Sequence, residues 1–196
     1  MRTKRAIDLA GATLGLVLVA PLLLALALVV CVTSPGAPLF GQRRTGRGGR
    51  EFTMWKLRTM VAGAERMRPL LLAQSRDADW LDLADDPRVT LLGRLLRRTS
   101  LDELPQLFNV VRGDMSLVGP RPLPVEEHAR IPDWAHRRVS LRPGITGLWQ
   151  VERRASVGFQ DMLRLDCEYV GRVSLRTDLN ILLRTVPAVL RGKGAN

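Results

Sequence analysis

The sequence predicts an α-rich α+β protein in two parts. We expect a re-entrant membrane segment, built as helix-break-helix, at residues 1–34, and a compact domain with interfacial amphipathic helices and a small amount of strand at residues 35–196. Three observations support this prediction. No charged residue occurs from Leu9 to Gln42, leucines recur at helical spacing beside arginines in later segments, and Glu51–Leu57 alternates as a strand does.

The uncharged run has an apolar centre, Leu14–Val32, that is long enough to cross or deeply enter a bilayer. It is too long for a signal peptide and no small-x-small cleavage site follows, so we expect it in the mature protein. Basic residues flank it on both sides: Arg2, Lys4 and Arg5 before it, and Arg43, Arg44, Arg47 and Arg50 after it. Because positive charge prefers the cytoplasmic side and Pro21 removes a helical hydrogen bond, we predict a hairpin bent at Ala20-Pro21 with both ends in the cytosol. A kinked transmembrane helix is the alternative.

The composition points to an anionic partner. Lysine and arginine total 30 against 19 aspartate and glutamate residues, a net charge of +11, which suits nucleic acid, an acidic membrane surface or phosphorylated substrates. The sequence shows no recognisable nucleic-acid-binding module and few aromatic residues, so we expect no nucleic-acid partner. Cys31 and Cys167 do not suggest a disulfide framework. His128 and His136 match no zinc-helix spacing, and we expect both at the surface.

Secondary-structure signals after the membrane segment are uneven. We expect a helix at residues 61–84 that Pro69 interrupts, a short basic amphipathic helix at Leu91–Arg98, and a long helix at Asp161–Leu190. Glycines and arginines at residues 41–49 predict a basic loop. Pro143-Gly144 favours a type II turn.

The stretch Ser100–Pro122 contains the residues best suited to chemistry. Asp102 and Glu103 follow Ser100, which can cap a helix whose positive end favours ionised carboxylates. Further on, the prolines around Arg121 stiffen the chain and can hold one guanidinium in a fixed direction. Carboxylates with a held arginine suit phosphate chemistry. For an isolated Ser-x-x-Glu, however, the commoner interpretation is a capping box, in which Glu103 bonds back to the backbone of Ser100.

Taken whole, Ser100–Pro122 resembles the core motif of the bacterial sugar transferases, the polyprenyl-phosphate sugar-phosphate transferases also called small monotopic phosphoglycosyl transferases. Other segments are similar to that family: Gln42-x-Arg44-x-Gly46, Lys56-x-Arg58-Thr59-Met60, Asp86-Pro87-Arg88-x-Thr90, Arg142-Pro143-Gly144-Ile145-Thr146-Gly147, and Asp166, Tyr169 and Asp178 near the end. The chain departs from the family where Arg153-Arg154 replaces a Gly-Arg pair, where Phe159 replaces a common tryptophan, and where Ala20-Pro21 replaces a Ser-Pro pair.

The resemblance implies transfer of a sugar 1-phosphate from a nucleoside diphosphate sugar, usually a UDP-sugar, to a polyprenyl phosphate such as undecaprenyl phosphate, with release of UMP. It implies Mg²⁺ as cofactor, a place at the bacterial inner membrane with the catalytic domain facing the cytosol, and a role at the first membrane step of polysaccharide or glycoconjugate synthesis. The oligomeric state is open, and a homo-oligomer is one option. A non-catalytic membrane-anchored scaffold and a nucleic-acid-binding protein are the alternative functions.

The resemblance also implies roles for individual residues. Asp102 is the expected nucleophile, which forms a covalent aspartyl-phosphosugar intermediate, and Glu103 holds Mg²⁺ or positions the lipid phosphate. Asp102, Glu103 and Asp114 are the implied Mg²⁺ ligands, although Asp114 is alternatively a turn acid that bonds its own backbone. The implied phosphate contacts are Arg121 first, then Arg88, Arg142, Arg154, Lys56 and Arg58.

Overall fold

The computed structural model describes residues 2–75, 77, 81, 83, 85–152 and 158–190. The α-helices are α1 Arg2–Thr33, α2 Ala64–Leu72, α3 Leu91–Arg98, α4 Gln106–Arg112, α5 Val125–His128, α6 Leu148–Glu152, α7 Phe159–Gly171 and α8 Leu175–Leu190. The strands are β1 Leu39–Thr45, β2 Glu51–Leu57, β3 Ser116–Val118 and β4 Gly144–Thr146. The prediction of a helix-rich protein with little strand is confirmed.

The first sheet is an antiparallel hairpin of β1 and β2, in which Leu39 lies opposite Leu57 and Thr45 opposite Glu51. Its turn contains Gly48 with a φ of 67°, in the left-handed region that glycine adopts without strain. Strand β2 has the predicted bounds. The basic loop predicted at residues 41–49 is in fact largely strand β1 and the hairpin turn. The glycine and arginines of β1 do not alternate as strand residues usually do, and the strand forms because it pairs with β2.

The second sheet pairs β3 with β4 in parallel, with Ser116 opposite Gly144 and Val118 opposite Thr146. The predicted type II turn at Pro143-Gly144 is wrong, since Gly144 begins β4 and its φ is not positive. Glycine is needed here because the backbone of Gly144 lies very close to the backbone of Gly119. A Cβ atom at Gly144 would lie 2.1 Å from the backbone nitrogen of Gly119.

Helix α1 runs without interruption through Ala20 and Pro21, so the predicted break does not separate two helices. Proline lacks one backbone donor, and membrane helices tolerate that loss where the neighbouring hydrogen bonds persist. The helix has 32 residues, which makes it about 48 Å long at 1.5 Å per residue. By length and composition it is able to cross a membrane, and its most apolar window is almost entirely exposed.

Both ends of α1 pack on the rest of the protein. Near its start, Ala12 is fully buried in a cluster with Met54, Val110 and Met115. Near its end, Val30 is buried in a different cluster that includes Leu57 and Leu96. Helix α1 is therefore part of the hydrophobic core at two separate places.

Two other helical predictions need correction. The helix expected at residues 61–84 is the shorter α2, which contains Pro69, and several residues between 76 and 84 lie outside the described residues. The single helix expected at Asp161–Leu190 is two helices, α7 and α8. The chain breaks because the Ser174 hydroxyl accepts a hydrogen bond from the Thr177 backbone nitrogen at 3.1 Å, which starts a new helix. Helix α3 lies at the predicted residues.

Candidate active site

A cavity of about 680 Å³ opens between the β1–β2 hairpin, the ends of α6 and α8, and the turn that carries Asp102 and Glu103. Its polar lining comes from distant parts of the chain. The predicted site residues that line it are Asp102, Glu103, Lys56, Arg58, Arg88 and Arg121. Among the predicted site residues, the cavity thus brings two acids together with four basic groups.

The two carboxylates lie on a 3₁₀ turn, Leu101–Glu103, that precedes α4. Ser100 has a φ of 56° and its side chain caps nothing. Its backbone nitrogen donates to the carbonyl oxygen of Arg97 at 2.9 Å, so Glu103 does not form a capping box with it. Glu103 is instead free to contact groups in the cavity.

Lys56 holds both acids from strand β2. Its Nζ lies 2.7 Å from Glu103 Oε1 and 3.9 Å from Asp102 Oδ2. Asp102 is buried, with 5% of its surface exposed, whereas Glu103 is half-buried. One ammonium therefore lies close to both adjacent carboxylates and offsets part of their negative charge.

The two acids have shifted pKa values in opposite directions. Burial raises the pKa of the Asp102 carboxyl to about 6, while Lys56 pulls it down and the nearby Glu103 charge pushes it up. Loss of water also acts to raise the pKa of Glu103, but Lys56, Arg121 and Arg44 together hold it below its usual value. The ionised form of Asp102 is thus less favoured than in water, whereas the neighbouring Glu103 stays ionised.

Arg121 enters the cavity from the loop after β3. Its guanidinium carbon lies 4.5 Å from the centre of the Trp149 ring, a cation–π contact. Its backbone nitrogen donates to both oxygens of Asp166 on α7, at 3.1 and 3.2 Å. The buried side chain of Arg138 bonds Asp166 and the carbonyl oxygen of Arg121, so a buried ion pair fixes the backbone from which Arg121 extends.

Two basic residues that sequence reasoning did not assign to the site also line the cavity. Arg97 on α3 donates from Nε to Thr59 Oγ1 at 3.0 Å, and its charge acts on Asp102. Arg44 on β1 donates from Nη1 to the carbonyl oxygen of Pro122 at 2.8 Å. Burial, followed by repulsion from Arg121, lowers the pKa of Arg44 to about 10. The family motif around Arg44 was the signal available for it, whereas Arg97 belonged only to the basic amphipathic helix predicted at Leu91–Arg98.

The sequence of the chain matches a known protein family. The family model described as bacterial sugar transferase matches residues 1–192. The chain belongs to the bacterial sugar transferase family. The exopolysaccharide production protein ExoY of Sinorhizobium fredii is 39% identical, over 98% of this chain and 88% of that protein. The UDP-glucose:undecaprenyl-phosphate glucose-1-phosphate transferase of Caulobacter vibrioides is 45% identical, over 95% of this chain and 69% of that protein.

The galactosyl transferase CpsE of Streptococcus agalactiae is 42% identical over 98% of this chain, but the match covers 43% of that protein. The chain therefore spans less than half the length of several curated relatives.

Two further arginines predicted from the sugar transferase motifs lie at the cavity but are already paired. Arg88 forms a two-pronged ion pair with Asp86, at 2.9 Å from Nε to Oδ1 and 2.6 Å from Nη2 to Oδ2. Arg58 donates to the carbonyl oxygens of Ser34 and Pro35, which follow the last turn of α1. Gly36, at a φ of 113°, leaves room for this contact, since a Cβ atom there would lie 2.4 Å from Arg58 Nη1. Arg58 thus ties α1 to the strand that carries Lys56.

Two of the remaining predicted residues, Asp114 and Arg142, do not line the cavity. Asp114 lies at the far end of α4 from Asp102, where its Oδ2 is 3.4 Å from Arg112 Nε. Arg142 donates from Nε to the carbonyl oxygen of Gly113 at 2.8 Å. Arg154 lies outside the described residues. His128 and His136 also lie away from the cavity, with ring centres 5.6 Å apart.

The donor set of the cavity suits Mg²⁺ brought in with a phosphorylated substrate. Within the described residues, no group of three or more His, Cys, Asp or Glu side chains is placed to hold a metal ion. Mg²⁺ commonly takes one or two protein carboxylates and completes its shell with waters and substrate phosphates. Asp102 and Glu103 supply such a pair, and Asp114 is too distant to join them.

Proposed function

We propose that this protein transfers a sugar 1-phosphate from a UDP-sugar to undecaprenyl phosphate and releases UMP. The observation that carries the proposal is the buried Asp102 beside Glu103 and Lys56, at the wall of a cavity that more basic than acidic residues line. Two relatives support it by name, the undecaprenyl-phosphate galactose phosphotransferase of Salmonella typhimurium and the glucose-1-phosphate transferase of Caulobacter vibrioides. The expected product is the first lipid-linked sugar of a polysaccharide or glycoconjugate.

The basic side chains that line the cavity can offset the negative charge of the substrates. The donor diphosphate and the acceptor phosphate are both anionic, so a carboxylate attacking phosphorus would meet strong repulsion. The charges of Lys56, Arg97 and Arg121 act on the two acids and would offset that repulsion, because fixed positive groups in a water-poor site act strongly on developing charge. The indole of Trp149 restricts Arg121 to one side of the cavity.

The reaction we propose has two displacements at one phosphorus atom. An Asp102 carboxylate oxygen attacks the phosphorus that bears the sugar, and the bond from that phosphorus to the bridging oxygen breaks, so UMP leaves with the electron pair. An oxygen of undecaprenyl phosphate then attacks the same phosphorus and frees the Asp102 carboxylate. Splitting the transfer in this way replaces one difficult encounter between anions with two easier ones.

Glu103 and Asp102 would hold Mg²⁺ at the cavity wall. The ion supplies charge neutralisation to the diphosphate when bound. Glu103 is suited to this because its pKa lies below the usual value and it stays ionised. Lys56, which contacts Glu103 at 2.7 Å, keeps the pair of acids together in the absence of substrate.

For the membrane we propose that α1 enters the bilayer from the cytosolic side and does not cross it. This is supported by the packing of both helix ends on one domain, through Ala12 and Val30. Two other helices expose leucines that suit the headgroup layer: Leu91 and Leu95 on α3, and Leu179 and Leu183 on α8. The lipid phosphate would then meet Asp102 without leaving the bilayer surface at the bacterial inner membrane.

Mass spectrometry after a half-reaction tests the function directly. The enzyme is incubated with a UDP-sugar and Mg²⁺ but no undecaprenyl phosphate. We expect the peptide that contains Asp102 to gain one sugar phosphate, with one UMP released per enzyme. Asp102→Asn keeps the shape and removes the nucleophilic oxygen, so it should show no adduct and at least about a thousandfold lower turnover, a barrier about 4 kcal/mol higher.

Arg94→Ala is the matched control, because Arg94 is an exposed residue on α3 that does not line the cavity. It should form the adduct at the wild-type rate. An Asp102→Asn enzyme with normal turnover would show that another group is the nucleophile.

A further inference from the structure

Three arginines meet on the side of α4 away from the catalytic carboxylates. Arg5 on α1 donates from its two terminal nitrogens to the carbonyl oxygens of Val110 and Val111, at 2.7 and 3.0 Å. Its guanidinium also lies beside Gly113, to which Arg142 donates from Nε. We call Arg5, Arg47 and Arg142 the arginine cluster.

Arg47 joins the cluster from the turn of the β1–β2 hairpin. Its Nε donates at 3.2 Å to the carbonyl oxygen of Ser140, two residues before Arg142. Arg5 and Arg142 both donate to carbonyl oxygens at the end of α4. Arg5 uses both of its terminal nitrogens for this, whereas Arg142 uses only its Nε. Among the residues that the structure describes, the terminal nitrogens of Arg47 and Arg142 donate to no protein group.

The cluster carries more positive charge than the protein itself offsets. Partial burial lowers the pKa of Arg142, and the charges of Arg5 and Arg47 lower it further. Asp8 acts in the opposite direction, but its carboxylate already accepts from Ser116 Oγ at 2.8 Å and from the Leu117 backbone nitrogen at 3.2 Å. A bound anion would relieve the repulsion between these guanidinium groups.

The position of Arg5 indicates which anion is available. Arg5 lies about one helical turn before Leu9, where the uncharged part of α1 begins. A residue at that point of a membrane helix lies at the level of the lipid headgroups. Arg142 lies beside Arg5 at Gly113, and its charge interacts with those of Arg5 and Arg47, so we infer that the cluster lies close to the same layer.

We propose that Arg47 and Arg142 bind the phosphate of an anionic phospholipid headgroup, with Arg5 holding the site against α1. A guanidinium offers paired N–H donors that match two phosphate oxygens. The site is separate from the catalytic cavity and requires only that α1 lies in a bilayer. It also gives a function to Arg142, which the structure places outside the cavity.

The test uses the full chain in nanodiscs of phosphatidylcholine and phosphatidylglycerol. Spin-labelled versions of each lipid are the probes, and electron paramagnetic resonance measures the fraction held at the protein. The main variant combines Arg47→Gln with Arg142→Gln, which removes both charges but leaves an amide donor for the carbonyl oxygens of Ser140 and Gly113. Arg50→Gln is the control, because Arg50 is exposed in the same hairpin turn.

We expect the wild type to prefer phosphatidylglycerol and the double variant to lose that preference. Each of the two arginines should contribute up to about a fivefold preference for phosphatidylglycerol over phosphatidylcholine. Arg50→Gln should keep the wild-type preference. A double variant that loses no more preference than Arg50→Gln would overturn the proposal, because general surface charge would then explain the attraction.

Two further measurements keep the test decisive. Inorganic phosphate at constant ionic strength should leave the lipid probe bound, and displacement of the probe would assign the cluster to a soluble anion and overturn the lipid site. Should the double variant unfold at a lower temperature than wild type, Arg47→Gln alone is used, because it leaves the Arg142–Gly113 hydrogen bond intact. It should still lower the preference severalfold, and an unchanged preference would count against the site.

Discussion

The Asp102 carboxyl is held where burial favours its neutral form, although the proposed attack on phosphorus needs the ionised form. Lys56 opposes the burial from 3.9 Å away. With a pKa of about 6 for Asp102, the acid is ionised in most molecules at neutral pH. The balance between burial and one ammonium therefore sets the pH range in which the site can act.

Removing the charge of Lys56 should move that range. In the wild type we expect UMP release in the half-reaction to fall to half near pH 6 as Asp102 takes up a proton. Lys56→Met should raise the pKa of Asp102, so the loss of activity should begin at a higher pH. Rates of UMP release measured across pH check this.

Arg43→Met serves as the control for that experiment, since Arg43 pairs with Glu51 at the exposed face of the same hairpin. It should leave the profile in place. A Lys56→Met profile that coincides with wild type would show that Lys56 does not govern the ionisation of Asp102.

Removal of the metal should also act through these two acids. We expect EDTA to abolish UMP release and added Mg²⁺ or Mn²⁺ to restore it, because in the proposed mechanism Asp102 and Glu103 would supply two of the ligands. Glu103→Gln should need a higher Mg²⁺ concentration for half-maximal rate. Full activity in the presence of chelator would exclude the metal from the reaction.

At the scale of elements, α1 is bound to the domain by charged groups as well as by apolar packing. Lys4 Nζ lies 2.6 Å from Asp178 Oδ2 and donates to the carbonyl oxygen of Val118 at 3.1 Å. The Tyr169 hydroxyl donates to the other Asp178 oxygen at 2.6 Å, and burial raises the pKa of this phenol. The start of α1 thus supplies the partner of a buried acid on α8.

Lys4→Met should therefore destabilise the whole domain. It leaves Asp178 buried with its charge uncompensated, which we expect to lower the free energy of unfolding by about 3 kcal/mol. Thermal unfolding in detergent measures the effect. Adding Asp178→Asn to Lys4→Met should recover part of the loss, as expected for two residues that interact directly.

Arg2→Met is the comparison for that pair, since Arg2 is exposed on the same turn of α1. Its unfolding temperature should match wild type. A similar drop for Arg2→Met and Lys4→Met would mean that positive charge in general, rather than the Lys4–Asp178 contact, stabilises this end of the helix.

At the scale of the whole molecule, the two ends of α1 contact the same domain, so the proposed topology places them on one side of the membrane. We expect cysteines introduced at Thr3 and at Arg50 to react only from the cytosolic side, in a background where the exposed Cys31 is replaced. Labelling of intact cells and of inverted membrane vesicles checks this. Reaction of the residue-3 cysteine from outside the cell would establish a helix that crosses the bilayer.

Much of this protein follows from local sequence. The Thr90 hydroxyl caps α3 by accepting from the Gly93 backbone nitrogen at 2.9 Å, and the leucine spacing after it defines that helix. Strand β2 follows from its alternation, and the uncharged run of α1 from its composition. The motif Ser100–Pro122 indicated both acids and Arg121, and the separate motif at residues 56–60 indicated Lys56. These features depend on residues that lie close together in the chain.

Which group each arginine side chain contacts depends on the tertiary structure. Arg97 reaches the cavity because α3 packs beside Thr59, 38 residues earlier, whereas Arg142 turns to Gly113, 29 residues earlier, and leaves the cavity. Strand β1 exists because β2 pairs with it. The sequence by itself determined which residue types and local elements are present, since short-range spacing and capping decide those. Only the tertiary structure decided which charges meet, because that depends on contacts between segments far apart in the chain.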